Sequence, residues 1–289
     1  MEGKALLFKH FADVDAVPVV LDVHQPEEII AVIKAIAPSF GAINLEDIAA
    51  PKCFEIEERL KAELDIPVFH DDQHGTAVVV LAGLINAAKL TRRNLAACKF
   101  VVIGAGAAGT AIIKLLHLYG ARNIVAVDSR GIVGSSRTDL NAEKTALLEY
   151  IDASQTGSIE DAITDADVFI GVSRAGLLTP ELVQKMADNP IIFALANPVP
   201  EIMPDVARQA GAAVVATGRS DFPNQINNSL AFPGIFRGAL DHCVKKITDQ
   251  HKLAAAEALA GLVENPTAEE VIPSPFDERV APTVARVIT

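Results

Sequence analysis

Two pairs of acids, Glu46-Asp47 and Asp71-Asp72, each follow a short apolar run that has the character of a strand. If those runs are parallel neighbours, four carboxylates gather at one sheet edge, and open α/β sheets bind ligands at the C-terminal edge of their strands. Crowded anionic oxygens repel and raise one another's pKa, and a divalent cation relieves the repulsion. Hard oxygen donors without clustered Cys or His suit Mg²⁺ or Mn²⁺ rather than zinc. Taken singly, each acid is an ordinary helix cap; the matched pairs are what favour a metal. His70 and His74 flank the second pair at i, i+4 spacing, but with a turn between them, and are expected to pack or hydrogen-bond.

A second constellation is Gly104-Ala105-Gly106-Ala107-Ala108-Gly109, a G-x-G-x-x-G motif. It follows a continuous apolar run, opens a helical pattern and precedes Asp128, 19 residues after Gly109 at the end of the next apolar run. That context is the dinucleotide fingerprint. Gly104 permits the tight turn. Gly106 lets backbone N–H groups at the start of the helix, where Ala107 and Ala108 stand, approach a pyrophosphate favoured by the helix dipole. Gly109 allows close helix–strand packing. Asp128 would accept hydrogen bonds from ribose hydroxyls, which favours NAD; Ser129 and Arg130 follow, and an Arg there can hold a 2′-phosphate, so NAD and NADP both stay open.

The elements that must position these residues alternate between β-rich and amphipathic runs, the signature of α/β architecture. Strands are expected at Val17–Asp22, Ala42–Leu45 and Pro67–Phe69, with helices opening at Pro26, covering Cys53–Leu64 with the charges on one side, and covering the apolar Gly75–Lys89. A second unit begins near Lys99. Its strands are expected at Phe100–Ile103, Ile124–Val127, Val168–Gly171, Ile191–Leu195 and Ala213–Ala216, with a helix over Ala107–Tyr119. After Asn228 an Ala-rich helical tail is expected to return to the first unit. The expected fold is a Rossmann-type doubly wound parallel sheet plus a smaller α/β domain carrying the metal ligands. The divisions are 1–74 for the substrate and metal domain, 75–228 for the dinucleotide domain and 229–289 for the helical tail.

Length and composition agree. The chain has 289 residues, half of them hydrophobic, enough for about two domains with substantial cores. A net charge of −12 repels phosphate backbones and anionic lipid, so neither nucleic acid nor a membrane is an expected partner. The longest apolar runs, Ala77–Ile85 and Phe100–Ile113, fall short of the roughly 18 residues of a membrane span. Three dispersed cysteines, Cys53, Cys98 and Cys243, with no CxxC, argue against a disulfide framework and for reduced thiols in the cytoplasm. Charged residues such as Lys9 and Asp13 interrupt the N-terminal apolar positions, so no signal peptide is read there.

Taken in order, Glu46-Asp47, the run Phe69-His70-Asp71-Asp72-Gln73-His74-Gly75-Thr76-Ala77, the glycine motif, Ala196-Asn197-Pro198 and Asn227-Asn228-Ser229-Leu230-Ala231-Phe232-Pro233-Gly234 resemble the bacterial malic enzymes over essentially the whole chain. The resemblance implies oxidative decarboxylation of malate to pyruvate and CO₂ with reduction of NAD or NADP. It implies Glu46, Asp47 and Asp72 as ligands of Mg²⁺ or Mn²⁺, Lys4 in Gly3-Lys4 as the general base and Asp71 as its orienting partner. Asn197 and Asn228 would hydrogen-bond the substrate carboxylates. It further implies a homodimer and, upstream of Gly3-Lys4, a segment carrying a tyrosine general acid and an arginine. Neither Tyr119 nor Tyr150 matches that tyrosine, so impaired turnover and exposed apolar surface are expected. Some family members also carry a C-terminal phosphotransacetylase-like domain. Two other readings compete. Another two-domain NAD(P)-dependent dehydrogenase, acting on amino acids or folate, would need the glycine motif but not the four acids. A non-catalytic fragment would bind dinucleotide and metal without turnover.

Overall fold

The computed structural model describes residues 1–289. The first unit runs α1 (Glu2–Ala12), α2 (Pro26–Ile36), β1 (Ile43–Leu45), α3 (Lys52–Glu63) and β2 (Val68–His70), and leads into the long α4 (Asp71–Thr91). The second runs β3 (Lys99–Ile103), α5 (Ala107–Tyr119), β4 (Asn123–Asp128), β5 (Gly131–Ile132), α6 (Ala142–Leu147), α7 (Ile159–Ile163), β6 (Val168–Gly171), α8 (Pro180–Val183), β7 (Ile191–Ala194), α9 (Pro204–Gln209) and β8 (Val214–Thr217). Three helices close the chain: α10 (Phe232–Asp241), α11 (Asp249–Gly261) and α12 (Val280–Ala285).

The large sheet has the order β5-β4-β3-β6-β7-β8, parallel except for the short antiparallel edge strand β5. Its chain path reverses between β3 and β6, the switch point at which doubly wound sheets bind ligands. Alternate residues of each strand point to opposite faces. Phe100, Val102, Ile170 and Phe193 meet the α4–α5 side, and Val101, Ile103, Phe169 and Ile192 meet the opposite core. Both faces are dry, which is why the interior positions of these strands are apolar and the polar residues Lys99, Asn123, Asp128 and Thr217 fall at strand ends. By composition and length α4 could cross a membrane, but here it is the central core helix, mostly buried beneath α5 and α11.

The small sheet is a single parallel pair, with Ile43, Asn44 and Leu45 beside Val68, Phe69 and His70. Its register brings the residues after Leu45 and after His70 to the same end. Phe8 of α1 packs against Phe232 and Phe236 of α10, and Phe236 meets the edge of Phe69 on β2. Each buried phenyl ring contributes about 1.5–3 kcal/mol of transfer free energy, so this cluster fastens α1 and β2 to the tail.

Three expectations are corrected. Val17–Asp22 forms no strand: β1 and β2 pair only with each other, Pro18 has no N–H to donate, and Val17 and Val20 stay 65% and 82% exposed. The charges of α3 are not all on one side, because Glu57 shares the buried face with Cys53, Ile56 and Leu60. Finally, α4 begins at Asp71 rather than Gly75, so both acids of the second pair lie in its first turn, where the helix dipole favours anions.

Candidate active site

The C-terminal end of the β1–β2 pair collects residues from four places. Glu46 and Asp47 follow β1, Asp71 and Asp72 open α4, Lys4 comes from α1, and Asn228 precedes α10. The Lys4 ammonium donates to Asp71 Oδ2 at 2.5 Å, lies 2.9 Å from Glu46 Oε1 and sits 4.4 Å from the centre of the Phe232 ring. Asn44 Nδ2 donates to the other oxygen of Glu46 at 3.0 Å. The backbone N–H of Asp47 donates to Asp72 Oδ2 at 2.9 Å, joining the two acid pairs.

One ammonium is thus shared by two carboxylates, with Asp72 adding negative charge nearby, and the electrostatics show it. Burial pushes the Asp71 carboxyl up to about 7 against the pull of Lys4. Burial likewise raises Glu46, opposed by Lys4 and reinforced by Asp72. Burial draws the Lys4 pKa down, but Asp71 and Glu46 outweigh it and hold it above the ordinary lysine value.

Hydrogen bonding tells the same story. The buried side-chain nitrogen and oxygen atoms without a partner are Asn44 Oδ1, both ring nitrogens of His70, and Asp71 Oδ1. All lie at this one end of the small sheet. Buried polar atoms are nearly always paired, and an exception calls for a cause such as a catalytic role or a bound ion or water. Gly75 belongs to the same design: a Cβ there would stand 1.9 Å from Asp71 Oδ1 and 3.1 Å from the Asn228 Cβ. Asn227, by contrast, is occupied in capping the turn at 228–230.

The donor set fits a hard dication in chemistry, being carboxylate oxygen with a local excess of negative charge. No three His, Cys, Asp or Glu side chains converge on one point, however: Glu46 is turned toward Lys4 and Asn44. His74 is not aimed at the cluster. Its Nε2 meets Glu57 Oε2 at 2.8 Å, and burial, then Lys252, lowers its pKa to about 4, so it is a neutral donor. Glu57 is the main residue missed from the sequence. It accepts the His70 backbone N–H at 3.0 Å, and His74 and Lys61 hold it ionised against burial. Its signal was available: positions 53, 56, 57 and 60 form one helical stripe, and an acid on an apolar stripe must be paired.

The glycine turn sits at the C-terminal end of β3. Gly104 has φ +110°, and a Cβ there would stand 2.6 Å from the Val172 carbonyl oxygen. A Cβ on Gly109 would stand 1.8 Å from the Gly104 carbonyl oxygen, whereas one on Gly106 would meet nothing within 4 Å. The turn is closed by sterics on two sides and open at the position through which a pyrophosphate would approach the amides at Ala107 and Ala108. Asp128 is already engaged: it accepts from the Arg130 N–H and from Arg137 Nη1, both at 2.8 Å, and from Lys144 Nζ at 2.5 Å. Ser129 is exposed, and the Arg130 guanidinium reaches Asp139 at 2.7 Å. Asn197 ends the run after β7, its amide beside Gly218. Tyr119 and Tyr150 lie at the far end of α5, about 18 Å along the helix from the glycine turn.

The acid cluster is tied to the large sheet through the segment after β8. Ile226 donates to Thr217 at the end of β8, and Asn228, two residues on, lies beside Gly75 and Asp71. A Rossmann-type sheet with a glycine-rich βα turn, beside a small parallel sheet that ends in a carboxylate–lysine cluster, defines the class of two-unit α/β dinucleotide-dependent dehydrogenases. Residues 73–287 match the family model for the malic enzyme NAD binding domain, and residues 1–61 that for the malic enzyme N-terminal domain. The chain is 58% identical to the bifunctional malic/malolactic enzyme of Bacillus subtilis (strain 168), over all of this chain and 71% of that protein. It is 55% identical to the NAD-dependent malic enzyme of Geobacillus stearothermophilus, over all of this chain and 61% of that protein. The crystal structure of malic enzyme from Pyrococcus horikoshii superposes with a TM-score of 0.96 at 49% identity, covering all of this chain and 69% of that one. The chain belongs to the malic enzyme family, whose reaction is the oxidative decarboxylation of malate and whose members include NAD- and NADP-dependent enzymes.

Proposed function

We propose that this chain oxidatively decarboxylates malate at the Lys4–Asp71 cluster, with Glu46, Asp47 and Asp72 holding Mg²⁺ or Mn²⁺ and the turn at Gly104–Gly109 holding NAD or NADP. The observation that carries this reading is the concentration of unpartnered buried polar atoms around Lys4 and Asp71. When bound, the cation supplies Lewis acidity at the C2 oxygen of malate, and the dinucleotide supplies the hydride acceptor.

The chain's own residues do the rest. Lys4 is placed to take the proton of the C2 hydroxyl, but at rest its two anionic neighbours keep it protonated. The ammonium must first be cleared: Lys4 gives the proton it holds to Asp71 along their 2.5 Å hydrogen bond, the Asp71 pKa near 7 letting that carboxylate accept it, and the neutral amine then takes the hydroxyl proton. Asn228, beside Asp71, and Asn197, at the end of β7, orient the substrate carboxylates. Phe232, backed by its ring cluster, covers one side of the ammonium. The divisions 1–74, 75–228 and 229–289 follow these roles, although α4 crosses the first of them. Three free thiols and the charge of −12 support a cytoplasmic setting with small-molecule partners. The exposed Leu6, Val17 and Val20 support association into a homodimer.

The test is malate with NAD⁺ or NADP⁺ and Mn²⁺, following pyruvate and reduced dinucleotide together. Both products are expected, and Asp72→Asn should lower the rate roughly a thousandfold. No malate-dependent reduction by the unsubstituted chain, or an undiminished rate in D72N, overturns the reading.

A further inference from the structure

Glu201 is fully buried, yet no lysine, arginine or histidine pairs with it. Its carboxylate instead accepts two backbone N–H groups from different loops, that of Ser173 at 3.0 Å and that of Ala196 at 3.1 Å. Ser173 lies just beyond the end of β6, and Ala196 just beyond the end of β7. Two backbone bonds run alongside, from Leu178 N–H to the Glu201 carbonyl at 3.2 Å and from Gly176 N–H to that of Pro200 at 3.4 Å. The strand is shaped around the side chain. A Cβ on Gly171, the last residue of β6, would stand 2.3 Å from the Glu201 carboxyl carbon. Burial raises the Glu201 pKa, opposed by the two amides. Burying an acid without a cation is costly, and packing alone gives no reason for it. What the carboxylate provides is one rigid acceptor that fixes the separation of two loops.

Those loops occupy a particular place. In a doubly wound sheet the first half, here β3 and β4, carries the adenosine end of the dinucleotide, and the second half, β6 and β7, carries the nicotinamide end. Val172, between Gly171 and Ser173, touches the glycine turn, and Asn197 follows Ala196.

We propose that Glu201 is a positioning residue for the nicotinamide half of the dinucleotide, its carboxylate setting the spacing of the loops after β6 and β7 before any ligand arrives. The inference rests on the dinucleotide reading above. It is tested by calorimetric titration of NADH, and separately of ADP, into the unsubstituted chain, Glu201→Gln and Gly171→Ala. A glutamine keeps the shape but turns an NH₂ toward one of the two amides. An alanine at 171 displaces the carboxylate without altering it. Both variants should bind NADH about tenfold more weakly and ADP within about twofold of the unsubstituted chain. Equal weakening of both ligands, or none, overturns the proposal while leaving the dinucleotide reading intact; failure of the unsubstituted chain to bind either ligand removes that reading and the proposal with it. Amide hydrogen exchange on the unsubstituted, ligand-free chain gives a readout independent of whether the variants fold. Ser173 and Ala196 should exchange as slowly as interior strand amides, and fast exchange there, slowed only by NADH, overturns the proposal.

Discussion

The glycine turn and the acid cluster are two binding places built on opposite principles. The turn is finished in the absence of ligand. Its shape is set by backbone and by the lack of side chains, with contacts at Gly104 and Gly109 that no Cβ could share. The acid cluster is built on charge: one ammonium shared by Asp71 and Glu46, burial that opposes ionisation of both acids, and four buried polar atoms without a protein partner. A ligand carried by hydrogen bonds to backbone can be met by a rigid shape. A reaction that moves protons and charge is better served by groups whose charges oppose burial, as at Asp71, with its pKa about 7.

The sharpest way to break this contrast is at Gly109. In Gly109→Ala the new methyl lands on the Gly104 carbonyl oxygen, so the turn must open. NADH binding should weaken by about a hundredfold or more, read by fluorescence titration. Because the cause is steric, the loss should be the same in low and high salt. Binding within a few-fold of the unsubstituted chain would mean that the turn is soft.

Next in size is Lys4→Met. Removing one partner from a buried ion pair commonly costs 3–5 kcal/mol; here Asp71, with a pKa near 7, can answer by protonating, and about 2–3 kcal/mol is expected from urea unfolding at pH 7. A variant as stable as the parent would show that the cluster does not depend on its cation, and the picture of one ammonium holding Asp71 and Glu46 would go.

The same contrast explains what the sequence could tell. A finished turn is local: glycines at fixed spacing, a strand before, a helix after and Asp128 beyond are contiguous, and the helix over Ala107–Tyr119 falls where its pattern places it. The acid pairs were visible because each sits at the end of a strand. Their partners were not, since Lys4 meets Asp71 across 67 residues and only the family resemblance pointed to it. Glu57 could have been read from its place on an apolar stripe. Glu201 could not, because it follows a Pro-rich loop with no period and its role exists only once two strand ends lie side by side. Val17–Asp22 has the composition of a strand, but composition cannot supply the neighbour a strand needs.

The smallest expected effect tests whether the dinucleotide unit is finished at its charged end too. Burial opposes ionisation of Asp128, but Arg137 and Lys144 outweigh it and bring its pKa to about 2, below the ordinary 3.8. A carboxylate whose folded pKa is depressed contributes stability above its unfolded pKa and loses it as pH falls through the folded value. Compared with Asp128→Asn, the unsubstituted chain should therefore keep a constant advantage above about pH 4 and lose it between pH 4 and about 2. The Asp128 side chain is nearly buried, but solvent reaches its partners Arg137 and Lys144, and that screening limits the advantage to about 1 kcal/mol. Urea unfolding of both proteins at a series of pH values measures it. A difference that stays flat across that window would mean that Asp128 is unpaired in solution and that the dinucleotide unit is not finished at that end.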